Sequence, residues 1–130
     1  MHDLIRAMSS AASGMGAQST RLRLIGENLA NADTPGFQRK RVSFESALDS
    51  TTGAETVRAG RVNLSQAPAR EAYEPGHPLA DARGIVTYSN VDPLIEIADA
   101  REAQRSYQAN LTLFDQARRM YGGMLELLRR

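Results

Sequence analysis

Cysteine is absent from this chain of 130 residues, so disulfides, thiolate metal sites and thiol catalysis are excluded. No run approaches the roughly 18 to 20 consecutive apolar residues that a membrane-spanning helix needs. Basic and acidic residues number 16 and 15. This balance gives no electrostatic reason to expect nucleic acid or an anionic membrane as a partner.

Catalytic groups are also scarce. His2 is terminal, and His77 lies in the turn-rich stretch from Glu74 to Pro78, where a surface position is the usual one. The metalloprotease, Walker, nucleophile-elbow and dinucleotide-binding motifs are absent, and no paired carboxylates suggest cleavage of a wall polymer. We therefore predict a protein that is not an enzyme, with no catalytic residue, cofactor, metal or small-molecule substrate.

The first sixteen residues, Met1 to Gly16, have neither the basic leader nor the uninterrupted apolar core of a cleavable signal peptide. Instead, apolar residues recur through them at helical spacing. Taken by itself, this N-terminus favours a cytosolic protein.

A first helix is predicted over residues 3 to 32, because apolar residues recur there at alternating spacings of four and three. At 1.5 Å per residue this helix is about 45 Å long. Gly14, Gly16 and Gly26, with serines and alanines nearby, let another backbone approach it closely. Its heptad seam includes Met8, Met15, Leu22, Ile25 and Leu29.

A second helix, about 54 Å long, is predicted over residues 93 to 128. Asp92 is a suitable N-cap, and Pro93 suits the first helical position. Asn110 lies inside the apolar pattern and is interpreted as a residue that sets register. The seam of this helix includes Tyr107, Leu111, Phe114, Tyr121, Met124 and Leu128.

Between the helices, the stretch from Asn28 to Phe37 ends the first helix abruptly. Pro35 lacks an N–H and disfavours the α conformation at Thr34, while Gly36 can adopt a positive φ. Asn31 and Asp33 offer competing hydrogen bonds to the backbone. The helix should therefore end near Asn31, and the turn should direct Phe37 to a fixed place.

The middle of the chain holds four short alternating runs, which predict strands at residues 38–44, 55–64, 70–73 and 85–88. The basic run from Arg39 to Arg41 is interpreted as the solvated edge of a strand. Together these patterns predict a mainly α fold with a small β part. Its three segments are an N-terminal coiled-coil helix (1–35), a connecting turn with a small β segment (36–91) and a C-terminal coiled-coil helix (92–130).

The two long helices are expected to pack against each other as an antiparallel or closely aligned pair, with the middle segment at one end. Near the end of the second helix, however, the apolar arc is roughly 160° wide, and one partner helix covers only about 100°. We therefore expect the helices to bury further faces against other subunits.

Three segments resemble the bacterial flagellar rod and hook axial proteins. NLANADTPGFQRKRVSFESAL, beginning at Asn28, is similar to their N-terminal signature; YEPGHPLADARGIVTYSNVDP, from Tyr73, and AQRSYQAN, from Ala103, narrow the resemblance to proximal-rod members. Leu79, Arg83 and the run from Leu94 to Ile97 depart from the family pattern. The motif positions carried over are Asn28, Asn31, Thr34, Pro35, Gly36, Phe37, Asn90, Val91, Asp92, Arg105, Tyr107, Ala109 and Asn110.

The resemblance implies a structural subunit that polymerises helically with other flagellar rod proteins and copies of itself. It also implies export without cleavage through the flagellar type III export apparatus and assembly in the periplasm, which replaces the cytosolic expectation. Two alternatives stay open. One is a sister proximal-rod protein that shares the first segment, and the other is a helical-hairpin adaptor or chaperone that does not polymerise.

Overall fold

The computed structural model describes residues 1–130 and has a long helix at each end of the chain. In chain order the elements are α1 (His2–Ala30), β1 (Lys40–Leu48), β2 (Glu55–Leu64), β3 (Glu71–Tyr73), β4 (Ile85–Thr87) and α2 (Pro93–Leu128). The strands form two separate antiparallel pairs, β1 with β2 and β3 with β4. The predicted fold class, mainly α with a small β part between two terminal helices, is confirmed.

The start of α2 follows directly from its sequence. Asp92 has an extended backbone, with φ −101° and ψ 107°, and its carboxylate accepts a hydrogen bond of 3.0 Å from the backbone N–H of Leu94. Pro93 occupies the first helical position, where no N–H is required. The predicted N-cap and first residue of this helix are confirmed.

The two helices pack antiparallel along a line of small residues. Asn28 of α1 lies beside Glu96 of α2, whereas Gly14, farther toward the start of α1, lies against Asn110. The apolar residues buried along the two helices are Ala11, Ala17, Leu24, Ile25, Ala103 and Ala117. Small residues at the contact allow the two helix axes to approach closely.

The predicted heptad seams do not form this contact line. On α2, Tyr107, Leu111, Met124 and Leu128 are 36%, 40%, 37% and 72% exposed, while Phe114 and Tyr121 are half-buried. Among the seam residues of α1 only Ile25 is buried; the half-buried ones are Met8, Met15, Leu22 and Leu29. The alanine and glycine positions approach most closely and leave the larger seam side chains beside the contact line. The role of the seam residues in helix packing stays a prediction.

The β1–β2 hairpin lies along α1 and not at one end of the helix pair. Its register shifts between Val42 and Phe44, where β2 carries an additional residue and bulges. Near its base Lys40 is hydrogen-bonded to Asn28, and near its tip the carbonyl of Thr52 accepts from Arg6. The expectation that the middle segment would lie at one end is thus wrong for the hairpin.

Serines of α1 explain why the hairpin follows this helix. Ser10 Oγ donates to the carbonyl of Glu55 at 2.6 Å, and Ser13 Oγ accepts from the backbone N–H of Val57 at 3.1 Å. Small hydroxyl side chains both permit the close approach of a strand edge and satisfy its backbone groups. Successive helical residues are about 100° apart, so Met15 points to the side of α1 opposite Ser13.

A large share of the molecular surface remains accessible. The accessible area is 8727 Å², whereas a compact monomer of 14.2 kDa would expose about 6,800 Å². Only 14 of the 130 residues are buried. Neither long helix carries a stretch apolar enough to cross a membrane.

The contact at Gly14 gives a test of the helix pairing. A Cβ at Gly14 would lie 2.6 Å from Nδ2 of Asn110, so Gly14→Ala should lower the free energy of unfolding by about 1–3 kcal/mol. Urea denaturation followed by circular dichroism measures it.

Gly16→Ala is the matched control, because no atom lies within 4 Å of the added Cβ. It should raise the free energy of unfolding by about 0.5–1 kcal/mol, the usual gain in a helix interior. Adding Asn110→Ala to Gly14→Ala should recover much of the loss. Equal effects of the two single alanine substitutions would contradict the observed contact line.

Candidate assembly interface

The turn from Asn28 to Phe37 is held by local hydrogen bonds. Asn31 closes α1, and its side-chain Nδ2 donates to the carbonyl of Glu27 at 2.9 Å. The backbone N–H of Thr34 donates to Asn31 and that of Phe37 donates to Thr34, at 3.0 and 3.2 Å. The helix thus ends where the sequence predicted, and the chain reverses in two successive turns.

Gly36 joins this turn to the second strand pair. Its φ is +78°, a conformation that L side chains rarely adopt, and its N–H donates to the carbonyl of Thr87 at 3.2 Å. Pro35 and Phe37 on either side are half-buried. The positive φ expected at Gly36 is confirmed.

Asn28 connects three elements through one side chain. It is 1% exposed, and its Oδ1 accepts from the backbone N–H of Lys40 at 2.9 Å. Its Nδ2 donates to the carbonyl of Lys40 at 2.8 Å and to Oε2 of Glu96 at 3.3 Å. The amide of Asn28 therefore pairs with β1 as a neighbouring strand would, and also holds the first turn of α2.

The carboxylate of Glu96 is fully buried, at 0% exposed, and Arg39 supplies its charge partner through Nε. The same guanidinium donates to Asp99 at 3.1 Å, and Asp99 also lies 3.7 Å from Arg21. A buried carboxylate needs such a partner, because desolvation of an unpaired charge costs several kcal/mol.

The basic run from Arg39 to Arg41 is therefore not a solvated edge as a whole. Arg39 pairs with Glu96, and Lys40 Nζ lies 2.9 Å from Glu27. This contact with Lys40 holds the pKa of Glu27 below its usual 4.5. Only Arg41 is exposed without an ion pair, and the prediction fails for its two neighbours because both face carboxylates on the helices.

Asn90 connects the hairpin to the start of α2. Its Oδ1 accepts from the backbone N–H of Arg39 at 2.6 Å, and its Nδ2 donates to the carbonyls of Ser65 and Ala67 at 3.0 and 3.1 Å. Two residues later Asp92 caps α2; Val91 between them is half-buried. We call Asn28, Arg39, Asn90 and Glu96 the junction cluster.

The structure thus brings together Asn28 and Asn90, two of the residues singled out by sequence, and adds Arg39 and Glu96. Ser89 also belongs here, since its Oγ donates to the carbonyl of Ala32. The sequence did not predict that Arg39, Glu96 and Ser89 would meet at this junction. In the sequence, Glu96 is simply an acidic residue in the first turn of a helix. Such residues are common at exposed helix ends, so nothing in the sequence indicated that Glu96 is buried.

The third motif segment, on α2, divides between two faces. Ala103 is fully buried against α1, and Asn110 contacts Gly14. Arg105, Tyr107 and Ala109 are exposed. Only two of these positions therefore take part in the helix pair, and the other three are available at the surface.

Large apolar side chains remain exposed along much of α2. We call the half-buried seam residues of α1, together with Tyr107 and Leu111 of α2, the seam face. Leu113 and Met120 do not belong to it, because they line a groove with Ser10 and Ala11 of α1. Exposed apolar surface marks a site of protein contact where it forms a contiguous patch. The most exposed large apolar residues of the helix are Leu94, Ile95, Leu113, Met120, Leu127 and Leu128, at 76%, 53%, 58%, 60%, 67% and 72%.

Two protein-family models match the parts of the chain that carry these features. Residues 8–38 match the model described as flagella basal body rod protein, and residues 82–127 match the one described as flagellar basal body rod FlgEFG protein C-terminal. The first covers most of α1 and the turn from Asn28 to Phe37. The second covers β4 and nearly all of α2.

Full-length relatives agree with these matches. The flagellar basal-body rod protein FlgC of Agrobacterium fabrum is 43% identical over 99% of this chain and 98% of its own length. This chain belongs to the FlgC family of flagellar basal-body rod proteins. The FlgC of Salmonella typhimurium is 39% identical over 90% of this chain and 92% of the relative, and that of Aquifex aeolicus is 33% identical over 93% and 94%.

Membership of this family gives the function at the level of the assembly. The chain is a structural subunit of the flagellar basal-body rod, where it assembles with other rod proteins. In this chain the junction cluster holds the helix pair and the base of the hairpin together.

Removal of Arg39 tests the junction cluster. Arg39→Met leaves the buried carboxylate of Glu96 with Asn28 as its remaining donor, and should lower the free energy of unfolding by about 3 kcal/mol. The double variant Arg39→Met/Glu96→Met should recover most of this loss, because no buried charge is left. Thermal unfolding of the purified chain measures both.

Arg58→Met is the control, because its partner Glu45 is half-exposed and the pair is 3.4 Å apart. Loss of such a surface pair should change stability by less than about 1 kcal/mol. If the double variant is less stable than Arg39→Met alone, the unpaired charge of Glu96 is not the main cause of the lost stability.

The contact between Glu27 and Lys40 predicts a dependence on pH. Because the folded-state pKa of Glu27 lies below 4.5, its stabilisation is complete above that pH and is lost as pH falls through the lower folded value. Lys40→Met removes the largest cause of this shift, so stability should fall less steeply between pH 7 and pH 3 than in the unsubstituted chain. Urea midpoints at both pH values measure the difference, and parallel losses would contradict it.

Proposed function

We propose that the chain polymerises helically, with other rod proteins and with copies of itself, in the proximal part of the rod. The seam face supports this proposal most strongly. A polymer that does not close on itself needs two different, complementary surfaces on each subunit, and a helix pair with one flank occupied by its own hairpin leaves the opposite flank free for neighbouring helices.

In this proposal the residues of both predicted seams serve contacts between subunits. Met8, Met15 and Leu22 of α1, with Tyr107 and Leu111 of α2, become buried when helices of adjacent subunits pack on the seam face. The accessible area of 8727 Å² exceeds the compact-monomer value by about 1,900 Å², an area of the order found in specific protein interfaces.

The three segments then have separate tasks. Residues 1–35 and 92–130 form the inner coiled-coil layer, and residues 36–91 make lateral contacts outside it. The turn from Asn28 to Phe37 is the geometric connection between the two layers. The exposed motif residues Arg105, Tyr107 and Ala109 lie on the inner layer, where a neighbouring subunit could contact them directly.

We further propose export through the flagellar type III apparatus without cleavage, followed by assembly in the periplasm. The N-terminal helix carries apolar residues at helical spacing from Leu4 onward, and these residues pack in the folded subunit. We infer no catalytic activity, since the groups that converge at the junction cluster neutralise one another and support the fold.

Two alternative functions predict different experimental results. The sister proximal-rod protein FlgB shares the first motif segment, but the relatives that match nearly the whole chain are FlgC proteins. A helical-hairpin adaptor or chaperone would bind one partner in a fixed ratio and would be absent from purified basal bodies. The presence of this chain in basal bodies, with Met1 retained, would support the rod assignment.

Gly36→Val tests the geometric role of the turn. Because φ at Gly36 is +78° and no atom lies within 4 Å of an added Cβ, the substitution strains the backbone by about 1–2 kcal/mol without a steric clash. We expect much less chain in purified basal bodies and nearly unchanged export, both measured by immunoblot. Pro35→Ala should act in the same direction.

Gly76→Val serves as the control, because Gly76 also has open space around it and lies outside the turn. It should assemble like the unsubstituted chain. Loss of export with Gly36→Val would instead point to a role of the turn in secretion.

A further inference from the structure

The end of α2 extends beyond the helix with which it pairs. The register of the antiparallel pair places Gly14 against Asn110, and farther along Leu4 lines the same groove as Met120. Because α1 begins within a turn of Leu4, the residues from Gly123 to Leu128 have no part of α1 beside them. We call this stretch the overhang; at 1.5 Å per residue it is about 9 Å long.

Side chains of the overhang make little contact with the rest of the chain. Tyr121 is the last residue that is half-buried, and every residue after it is exposed. Within the overhang Leu127 and Leu128 are 67% and 72% exposed. The last ion pair of the helix joins Arg119 to Asp115, before the overhang begins. The overhang is therefore held in line with α2 by helical hydrogen bonds of the backbone.

Two adjacent glycines, Gly122 and Gly123, lie where α2 leaves the pair, and the helix has no other glycine. A Cβ at either position would have no atom within 4 Å, whereas a Cβ at Gly14 would meet Asn110 at 2.6 Å. Packing within the subunit therefore does not require glycine at these two positions. Their effect is on the backbone, because each glycine lowers the equilibrium constant for helix formation about four- to fivefold relative to alanine.

We propose that Gly122 and Gly123 form a hinge, at which the overhang bends and unwinds independently of the helix pair in the free subunit. The two weakest interior positions of the helix are adjacent, at the point where support from α1 stops. Bending there breaks only the backbone hydrogen bonds that span the glycines and uncovers no buried side chain. The leucines of the overhang can thus take more than one direction relative to the pair.

Distances between spin labels, measured by double electron–electron resonance, test the hinge in the purified full chain. The chain has no native cysteine, and it is diluted into unlabelled chain. Leu111→Cys with Leu127→Cys places two labels about 24 Å apart, on either side of the glycines. Ile95→Cys with Leu111→Cys is the matched control, because it has the same spacing on the part of α2 that packs on α1. All three sites are exposed.

We expect a broader distribution of distances for the first label pair than for the control pair. In the Gly122→Ala/Gly123→Ala background the first distribution should narrow to the width of the control, because alanine favours the straight helix. The control distribution should not change.

Amide hydrogen exchange measures how much the glycines contribute. The helical hydrogen bonds donated by Met124 and Leu125 span both glycines. Gly122→Ala/Gly123→Ala should raise the protection of these two amides about twentyfold, and each single substitution about four- to fivefold. Gly16→Ala is the control, because it also adds a Cβ in open space but lies in α1. It should leave both amides unchanged, since they exchange by local opening.

Equal widths for the two label pairs in the unsubstituted chain would overturn the hinge. A broad first distribution that Gly122→Ala/Gly123→Ala does not narrow would also overturn it, because the overhang would then move only for want of a partner helix. Both measurements use the isolated chain, so neither result bears on whether the chain polymerises in the rod.

Discussion

The carboxylate of Glu96, which has no exposed surface, determines how the parts of this subunit meet. It can remain buried only because Arg39 and Asn28 reach it from two other elements, and each of these residues also binds a further group. Asn28 holds β1 through both its amide atoms. The backbone N–H of Arg39 is held by Asn90, which precedes α2. The helices and the hairpin are therefore fixed together by one connected polar cluster.

Away from this cluster, small residues set the geometry. Gly14 lies directly against Asn110, and Ala11, Ala103 and Ala117 continue the same line. A close pair of this type buries little apolar surface and leaves leucines, methionines and tyrosines at its flanks. A monomer would gain stability from burying them within itself. In the proposed polymer these side chains are needed at the surface, where helices of neighbouring subunits cover them.

The extent of most elements could be predicted from the sequence because local signals determine it. The exception is β1, which was predicted over residues 38–44 and runs from Lys40 to Leu48. Asp92 and Pro93 define the first turn of α2, and Pro35 and Gly36 stop the chain from continuing α1. Four motif asparagines were identified from the sequence, and the structure brings two of them, Asn28 and Asn90, to the same junction. Their partners were not identified, because an ion pair between residues 57 positions apart leaves no periodic trace in the sequence.

The sequence by itself determined where the helices and strands lie, the absence of thiol chemistry and the resemblance to rod proteins, since each depends on residue types at short spacings. Only the tertiary structure decided which helical face is the contact face and where the hairpin lies. Heptad spacing of large apolar residues at Met15, Leu22 and Leu111 indicates that a face will be buried, but it does not say against what. The contact face is the one on which Gly14 and Ala103 allow the helices to approach closely. The hairpin lies beside α1 because the serines of that helix bind its backbone.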